Sequence, residues 1–305
     1  MNMLKCSMWA MMVGLTACGG GGGGSGVAGS QPDTGLSALN AVPEAYRAQV
    51  RQAKLWEIDV EYAGSNVAKE AFGQTYAKGN EKIDLTPVPL GLHDYPFKDT
   101  ERYKGVTFTA LFDNKTQEIY HQRAFAKDDV RVVEGTLRLY QQPYSVVIGS
   151  YMNNFKVNNE PVTLIDAESS FTIENILGLA TTKTAIDALN IHAVYRGEAF
   201  TAKDKGTLVY NVDFKNRIGS GEITGLGQFG RVVLEKGDIE KFDEFFDSKQ
   251  AAFGISSTAR AEKSNKQMFY GLMFAGPQAE EVSGLVIQRA PEKSAADIIG
   301  FGGKR

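Results

Sequence analysis

Cysteine is almost absent from this chain of 305 residues, which contains only Cys6 and Cys18. Both lie at the start, so the rest of the chain has no thiol for a disulfide or a cysteine-ligated metal site. An excess of basic residues is also missing, because 33 Lys and Arg are set against 36 Asp and Glu, giving a formal net charge of −3. This balance argues against a nucleic-acid-binding protein.

Long hydrophobic runs are missing too. The longest, Met8 to Ala17, is shorter than the roughly 20 residues that cross a bilayer. It follows Lys5 and ends in small residues, and this pattern is typical of a secretory signal. The ending Leu15-Thr16-Ala17-Cys18 resembles the bacterial lipobox, in which the cysteine becomes an acylated N-terminus. We therefore predict a signal peptide over 1–17 and a membrane anchor through lipid on Cys18. A secretory signal cut elsewhere, with a soluble product, is the alternative.

Catalytic motifs are lacking as well. Gly225 to Gly230 matches the dinucleotide pattern G-x-G-x-x-G, but the residues that follow, Arg231 to Glu235, are typical of a strand. Without a helix N-terminus to receive a pyrophosphate, the match predicts a glycine-rich β-turn. No nucleophile elbow, H-E-x-x-H motif or Walker loop occurs. We predict that the protein is not an enzyme and requires no cofactor.

Six consecutive glycines, Gly19 to Gly24, begin the segment 18–38, which we predict to be a flexible tether. The stretch Leu36 to Trp56 predicts one helix, and alternating apolar residues from position 57 onward predict strands. Residues 84–105 contain three prolines and two glycines, which predicts a long loop. A mixed stretch over 174–190 predicts a helical junction between domains of 39–183 and 184–305.

The β pattern is strongest from His192 onward. Leu208, Tyr210 and Val212 alternate with polar residues, and Tyr270 and Leu272 belong to a similar alternation. We count eight runs: 192–200, 206–215, 218–225, 230–235, 252–262, 267–275, 280–288 and 297–302. Eight antiparallel strands can close into a barrel filled by side chains, so we predict a mainly β protein with a C-terminal eight-stranded barrel. A β-sandwich is the alternative.

Several segments follow a recurring order along the chain. They are Tyr195 to Phe200, Gly206 to Phe214, Gly219 to Ile223, Phe269 to Gly284 and Gly300 to Arg305. This order resembles the C-terminal barrel of the transferrin-binding-protein-like surface lipoproteins of Gram-negative bacteria. Leu137 to Gly149 resembles the N-terminal handle domain of single-lobe members, among which are factor H-binding protein, the haemoglobin–haptoglobin utilisation lipoprotein and the haemophilins.

The resemblance implies a β-rich handle followed by a barrel, placed on the outer face of the outer membrane by a dedicated lipoprotein translocator. A chain of this length holds one handle–barrel lobe, which favours the haemoglobin or haem branch or the factor H branch. We expect capture of host haemoglobin, or haem from it, and transfer to a TonB-dependent outer-membrane receptor. The alternative is binding of complement factor H or another serum protein for immune evasion. A structural or adhesive lipoprotein without a soluble ligand is a third possibility.

Histidine matters if haem, as transported ligand, binds directly, because imidazole is a common axial ligand of haem iron. His93 lies in the predicted loop beside Tyr95 and Phe97, whose rings would flank a flat apolar macrocycle. We therefore select His93, Tyr95 and Phe97 as candidate ligand-binding residues, with His93 as the iron ligand. His121 lies within a predicted strand, and His192, at the start of the first barrel strand, is expected to be structural.

Three phenylalanines between barrel runs form a second candidate site. Phe242, Phe245 and Phe246 have the i, i+3, i+4 spacing of one helix face. They predict either a short helix that closes the barrel end or an exposed aromatic patch for a protein partner.

Overall fold

The computed structural model describes residues 38–53, 57–61, 78–84, 89–102, 108–114, 119–125, 130–161, 171–243, 245, 251–264, 267–288 and 297–305. The predicted signal peptide, Cys18 and nearly all of the predicted tether lie outside these residues. Ala38, the last tether residue, is buried. Phe246 also lies outside them.

The fold is mainly β, as predicted. Helix α1 (Glu44–Ala53) begins directly after Pro43 and buries Val50. Two hairpins follow in the chain, β1 (Glu57–Glu61) with β2 (Lys78–Asp84) and β4 (Phe108–Asn114) with β5 (Ile119–Phe125). Among the described residues, neither helix combines the length and the hydrophobicity that crossing a lipid bilayer requires.

A five-stranded antiparallel sheet forms the centre of the N-terminal half, and we call it the handle sheet. Its order is β3-β6-β7-β8, with β9 also paired to β7. The strands are β3 (Gly91–Arg102), β6 (Val130–Gln141), β7 (Ser145–Val157), β8 (Glu160–Pro161) and β9 (Thr172–Gly178). A tight turn joins β6 to β7, in which the Gln142 amide donates to the Ser145 carbonyl at 2.9 Å.

Strand β3 corrects the prediction of a long loop over 84–105. All twelve of its residues pair with β6, including Pro96 opposite Thr136. Proline cannot donate to a ladder, so sheets accept it on edge strands, and β3 ends the strand order of the handle sheet. Pro96 is therefore compatible with a strand, because that strand lies at the edge of the handle sheet.

The predicted helical junction over 174–190 is wrong in its first half. Residues Thr172–Gly178 form β9, paired with β7, and only Lys183–Ala188 form a helix, α2. Thr182 begins α2 as its N-cap, with its hydroxyl accepting from the Ala185 amide.

Eight antiparallel strands from His192 onward close into a barrel, which confirms the predicted architecture over a sandwich. Each strand pairs with the next, and β17 closes on β10 from Arg196 opposite Lys304 to Phe200 opposite Gly300. The strands are β10 (His192–Phe200), β11 (Lys205–Asp213), β12 (Ile218–Leu226), β13 (Gly230–Phe242), β14 (Ala252–Ala261), β15 (Met268–Ala275), β16 (Glu281–Gln288) and β17 (Ile298–Lys304). The G-x-G-x-x-G match is the turn between β12 and β13, as predicted.

Side chains fill the barrel. The inward positions of all eight strands form one buried cluster that includes Tyr195, Leu208, Leu234 and Phe301. Ile186 of α2 joins this cluster at the end where β10 begins, and Phe229 joins it at the opposite end. Helix α2 therefore closes the barrel end, in place of the helix predicted around Phe242.

A β-bulge in β13 interrupts the ladder at Glu235 and Lys236, which lie between the pairs Gly221–Leu234 and Gly219–Gly237. The bulge leaves carbonyl groups without ladder partners. From inside the barrel, the Tyr270 hydroxyl donates to the Glu235 carbonyl at 2.7 Å and also lies 2.9 Å from the Tyr210 hydroxyl. The tyrosine pair thus joins the bulge to the opposite strands.

Replacing Tyr270 by Phe removes the hydroxyl on which both the Glu235 carbonyl and Tyr210 depend. We expect the free energy of unfolding to fall by about 1–3 kcal/mol, the usual cost of a buried polar group without a partner. Urea unfolding of the Y270F variant measures it. Tyr151→Phe, the same deletion at a half-buried position of the handle sheet, is the control. Equal effects of the two changes would contradict the role of the bulge.

The barrel tyrosines also predict alkaline instability. Burial raises the pKa of Tyr270 to about 12, and it raises the pKa values of Tyr195 and Tyr210 further still. In the unfolded chain these hydroxyls ionise near pH 10. Their contribution to stability is complete below pH 10 and is lost as the pH rises from there through the folded-state values.

Each of these tyrosines is expected to lower the free energy of unfolding by about 1.4 kcal/mol per pH unit above pH 10. Urea unfolding between pH 8 and 11.5, with tyrosinate absorbance recorded in parallel, tests this. Ionisation of all tyrosines near pH 10 without loss of the fold would refute it.

Candidate functional site

The handle sheet packs against the outer face of strands β15 to β17. This face is smooth because Gly300 and Gly302 alternate with the inward Phe301. A Cβ atom on Gly302 would lie 2.6 Å from the Tyr140 ring, and one on Gly300 would lie 2.7 Å from the Ile173 Cδ1 atom. The glycines therefore form a seat for Tyr140 and Ile173, which belong to one apolar cluster with Leu285 of β16.

A buried polar cluster lies beside this seat and consists of Gln142, Tyr144, Ser145, Glu281 and Ser283. The Tyr144 amide donates to both carboxylate oxygens of Glu281, at 3.0 and 3.1 Å, and the Ser145 hydroxyl donates to Glu281 Oε2 at 2.7 Å. Gln142 Nε2 donates to the Val282 carbonyl at 3.1 Å and lies 3.0 Å from Ser283 Oγ. The turn between β6 and β7 is thus bonded directly to β16.

Arg138 forms a second link between handle sheet and barrel. Its guanidinium donates two hydrogen bonds to Asp94, at 2.7 and 2.9 Å, and its Nη1 donates to the carbonyls of Thr201 and Ala202, at 2.8 and 3.0 Å. The hydrogen bonds to Asp94 raise the pKa of Arg138. Strands β3 and β6 are thereby attached to the turn between β10 and β11.

The outer face of β10 to β13, with Arg260 of β14, is the opposite wall of the barrel, and we call it the outer wall. One row of paired residues crosses it: Arg196, Val209, Glu222, Val233 and Arg260. Arg231 donates to Glu222 at 2.7 Å, and Arg260 pairs with Glu235 at 3.2 Å. Val194 of the neighbouring row is 41% exposed. The wall therefore presents valines between ion pairs.

A groove of about 490 Å³ runs along the outer wall. Its lining includes the small residues Ser220 and Gly221 of β12 and the bulged residues Glu235 and Lys236. The exposed side chain of Asn211 lies in its lining. Because the barrel interior is filled, a ligand of this barrel has to contact an outer face, an end or the handle sheet.

His93 and Tyr95 lie in β3, at alternate positions that share one face of the strand. Both are half-buried, and burial raises the pKa of Tyr95. His93 Nε2 lies 3.3 Å from the Leu90 carbonyl. A strand replaces the flexible loop that was expected to close around a ligand. The side chains of Phe97 and His121 lie outside the described residues.

The phenylalanines do not form the predicted helix face. Phe242 ends strand β13, and its ring centroid lies 5.5 Å from that of Phe245. Phe245 is 6% exposed and packs in the same apolar cluster as Tyr140 and Leu285. Phe242 and Phe245 therefore do not form an exposed aromatic patch in the structure. Both rings cover the barrel exterior instead.

His192 lies 78% exposed at the start of β10, with Nε2 3.7 Å from Asp213 Oδ2. Over the residues that the structure describes, no three His, Cys, Asp or Glu side chains come together as a metal site. The polar cluster, the Arg138 link and the outer wall were all missed from the sequence. Of these three, only the outer wall left a signal in the sequence, because the period-two alternation of a strand shows which residues face outward.

Comparison with known families gives a match within the barrel. Residues 189–286 match the family model described as factor H binding protein, C-terminal. The match confirms the resemblance predicted from the barrel motifs, and it extends from the end of α2 into β16. No curated protein sequence matches the chain.

Solved structures of transferrin binding protein B show low similarity. One from Haemophilus parasuis is 12% identical, with a TM-score of 0.40, and the likeness covers 81% of this chain and 43% of that one. Another, isotype 1 from serogroup B Neisseria meningitidis, is 13% identical, with a TM-score of 0.36 and coverage of 75% and 46%. This chain thus spans less than half the length of either.

Replacing Arg138 by Lys tests the link between handle sheet and barrel. A single ammonium cannot reproduce the two bonds to Asp94 together with those to Thr201 and Ala202. We expect a loss of about 1–3 kcal/mol in the free energy of unfolding. Arg260→Lys, at an 80% exposed side chain, is the control and should cost less than about 0.5 kcal/mol. Urea unfolding compares them, and a harmless R138K would refute the link.

Proposed function

We propose that this chain is a surface-exposed, lipid-anchored outer-membrane protein that binds a host protein and catalyses no reaction. The observation that carries the proposal is the match of residues 189–286 to the C-terminal family model of factor H binding protein. The lipobox-like Leu15-Thr16-Ala17-Cys18 supports the anchor, which would attach at Cys18. The predicted lipoprotein translocator belongs to this proposal.

The outer wall supports a protein as the ligand. Its groove is open and shallow, and it combines half-buried valines (Val209, Val233) with ion pairs at Glu222 and Glu235. Apolar contacts surrounded by polar groups are usual in interfaces between proteins that also exist separately. Side chains fill the barrel interior, so a ligand has no room there.

Two ligands are candidates. Haemoglobin, or haem from it, follows from the resemblance to single-lobe family members, and the captured haem would pass to a TonB-dependent receptor. Complement factor H is favoured by the match of the barrel to the family model of factor H binding protein. In the haem case His93 would be the iron ligand, with Tyr95 beside it on β3 and Phe97 two positions further.

Purified haemoglobin, its haptoglobin complex, factor H and haemin, each titrated calorimetrically into the full chain, test the proposal. We expect one of the host proteins to bind. Haemin that binds through His93 gives a Soret band that is lost in His93→Ala and kept in His192→Ala. Binding of none of the four would overturn the proposal.

The outer wall is tested by Asn211→Arg, which places a long charged side chain at the groove. We expect an affinity loss of at least tenfold for the host protein that binds. Gln278→Arg, a change of the same kind at an exposed amide in the turn between β15 and β16, should leave the affinity unchanged. An unchanged affinity in N211R would remove the outer wall as the binding surface.

A further inference from the structure

The contact between the handle sheet and β16 depends on one carboxylate. Glu281 is 2% exposed, and its oxygens accept from the Tyr144 amide and the Ser145 hydroxyl. Tyr144 lies in the turn that joins β6 to β7, and Ser145 is the first residue of β7. A buried carboxylate is costly to leave without donors, so the place of this turn on the barrel is tied to Glu281.

Hydrogen bonds next to Glu281 fix the orientation in which the turn between β6 and β7 meets β16. Gln142 Nε2 donates to the Val282 carbonyl, and Ser145 Oγ lies 2.8 Å from Ser283 Oγ. The turn is therefore fixed at two points along β16, Glu281 and the pair Val282–Ser283. The apolar cluster around Tyr140 and Leu285 adds attraction, but hydrophobic contact has no preferred direction and cannot set the angle alone.

We infer that Glu281 is a positioning residue, which fixes the handle sheet on the barrel in one orientation. The outer wall and the handle face that carries His93 then keep fixed positions relative to each other, whichever of them a partner contacts. This last consequence rests on the proposed function. The orientation itself does not.

Glu281→Gln keeps the volume of the side chain and removes one acceptor oxygen. The new amide nitrogen can only donate, so the Tyr144 amide keeps one acceptor oxygen instead of two, and the Ser145 hydroxyl has to turn its proton to another acceptor. The substitution leaves the ladder of the barrel intact, because β15, β16 and β17 pair through their backbones. The change should therefore loosen the turn before it affects the barrel.

Amide hydrogen exchange measured by NMR on the full chain tests this directly. In Glu281→Gln we expect exchange of the Tyr144 amide to accelerate at least tenfold, with the amides of β10 to β14 unchanged. Glu280→Gln is the matched control, because the Glu280 carboxylate accepts within its own turn, from the Gln278 amide at 2.8 Å. Unchanged Tyr144 exchange in E281Q overturns the inference, and so does equal acceleration throughout the barrel.

The orientation is measured by a distance between spin labels. With Cys6 and Cys18 replaced by serine, Glu160→Cys on β8 and Arg260→Cys on β14 place one label on the handle sheet and one on the outer wall, both at exposed positions. We expect one narrow distance distribution in this labelled chain, a broadened one after Glu281→Gln, and a narrow one after Glu280→Gln. A distribution that stays narrow in E281Q refutes the positioning role. Neither readout uses a ligand, so both succeed or fail independently of host-protein binding.

Discussion

A carboxylate buried away from water depends on the hydrogen-bond donors that the surrounding structure supplies, and Glu281 receives its donors from another part of the fold. Tyr144 and Ser145 come from the handle sheet, 137 and 136 residues earlier in the chain. The flat seat of Gly300 and Gly302 allows this approach, because any side chain there would hold Tyr140 away. Thr181 extends the same junction, with its amide donating to the Phe274 carbonyl at 3.0 Å. Handle sheet and barrel are therefore joined by directional bonds as well as by apolar contact.

The barrel was predictable because its strands are half-buried on a regular period. Leu208, Tyr210 and Val212 point inward while the residues between them face outward, so a sequence with period two shows the strand and its buried face together. The same regularity placed the turn at Gly225 to Gly230, since a strand follows it. Only the outward positions on β15 to β17 depart from the pattern. Several of them are apolar or glycine, and the polar ones Glu281 and Ser283 are buried, because the handle sheet covers them.

The failures share one cause, which is contact between distant parts of the chain. Pro96 appeared to exclude a strand, but an edge position accepts it. Phe242 and Phe245 have helical spacing, yet their environment is the outside of a barrel whose wall no local pattern describes. Gln142, Ser145 and Glu281 are polar, and by composition they belong to a surface. Only the docking of the handle sheet on the barrel buries them, and no local pattern in the sequence shows such docking.

Strand β17 contacts both the rest of the barrel and the handle sheet. It closes the barrel against β10, and it carries the glycines on which the handle sheet packs. It is also the strand that leaves the ribosome after all the others. Until residues 298–304 emerge, the barrel has two open edges, and the handle sheet has no surface to rest on. The largest core of the fold therefore cannot close while the C-terminal part of the barrel is still being synthesised.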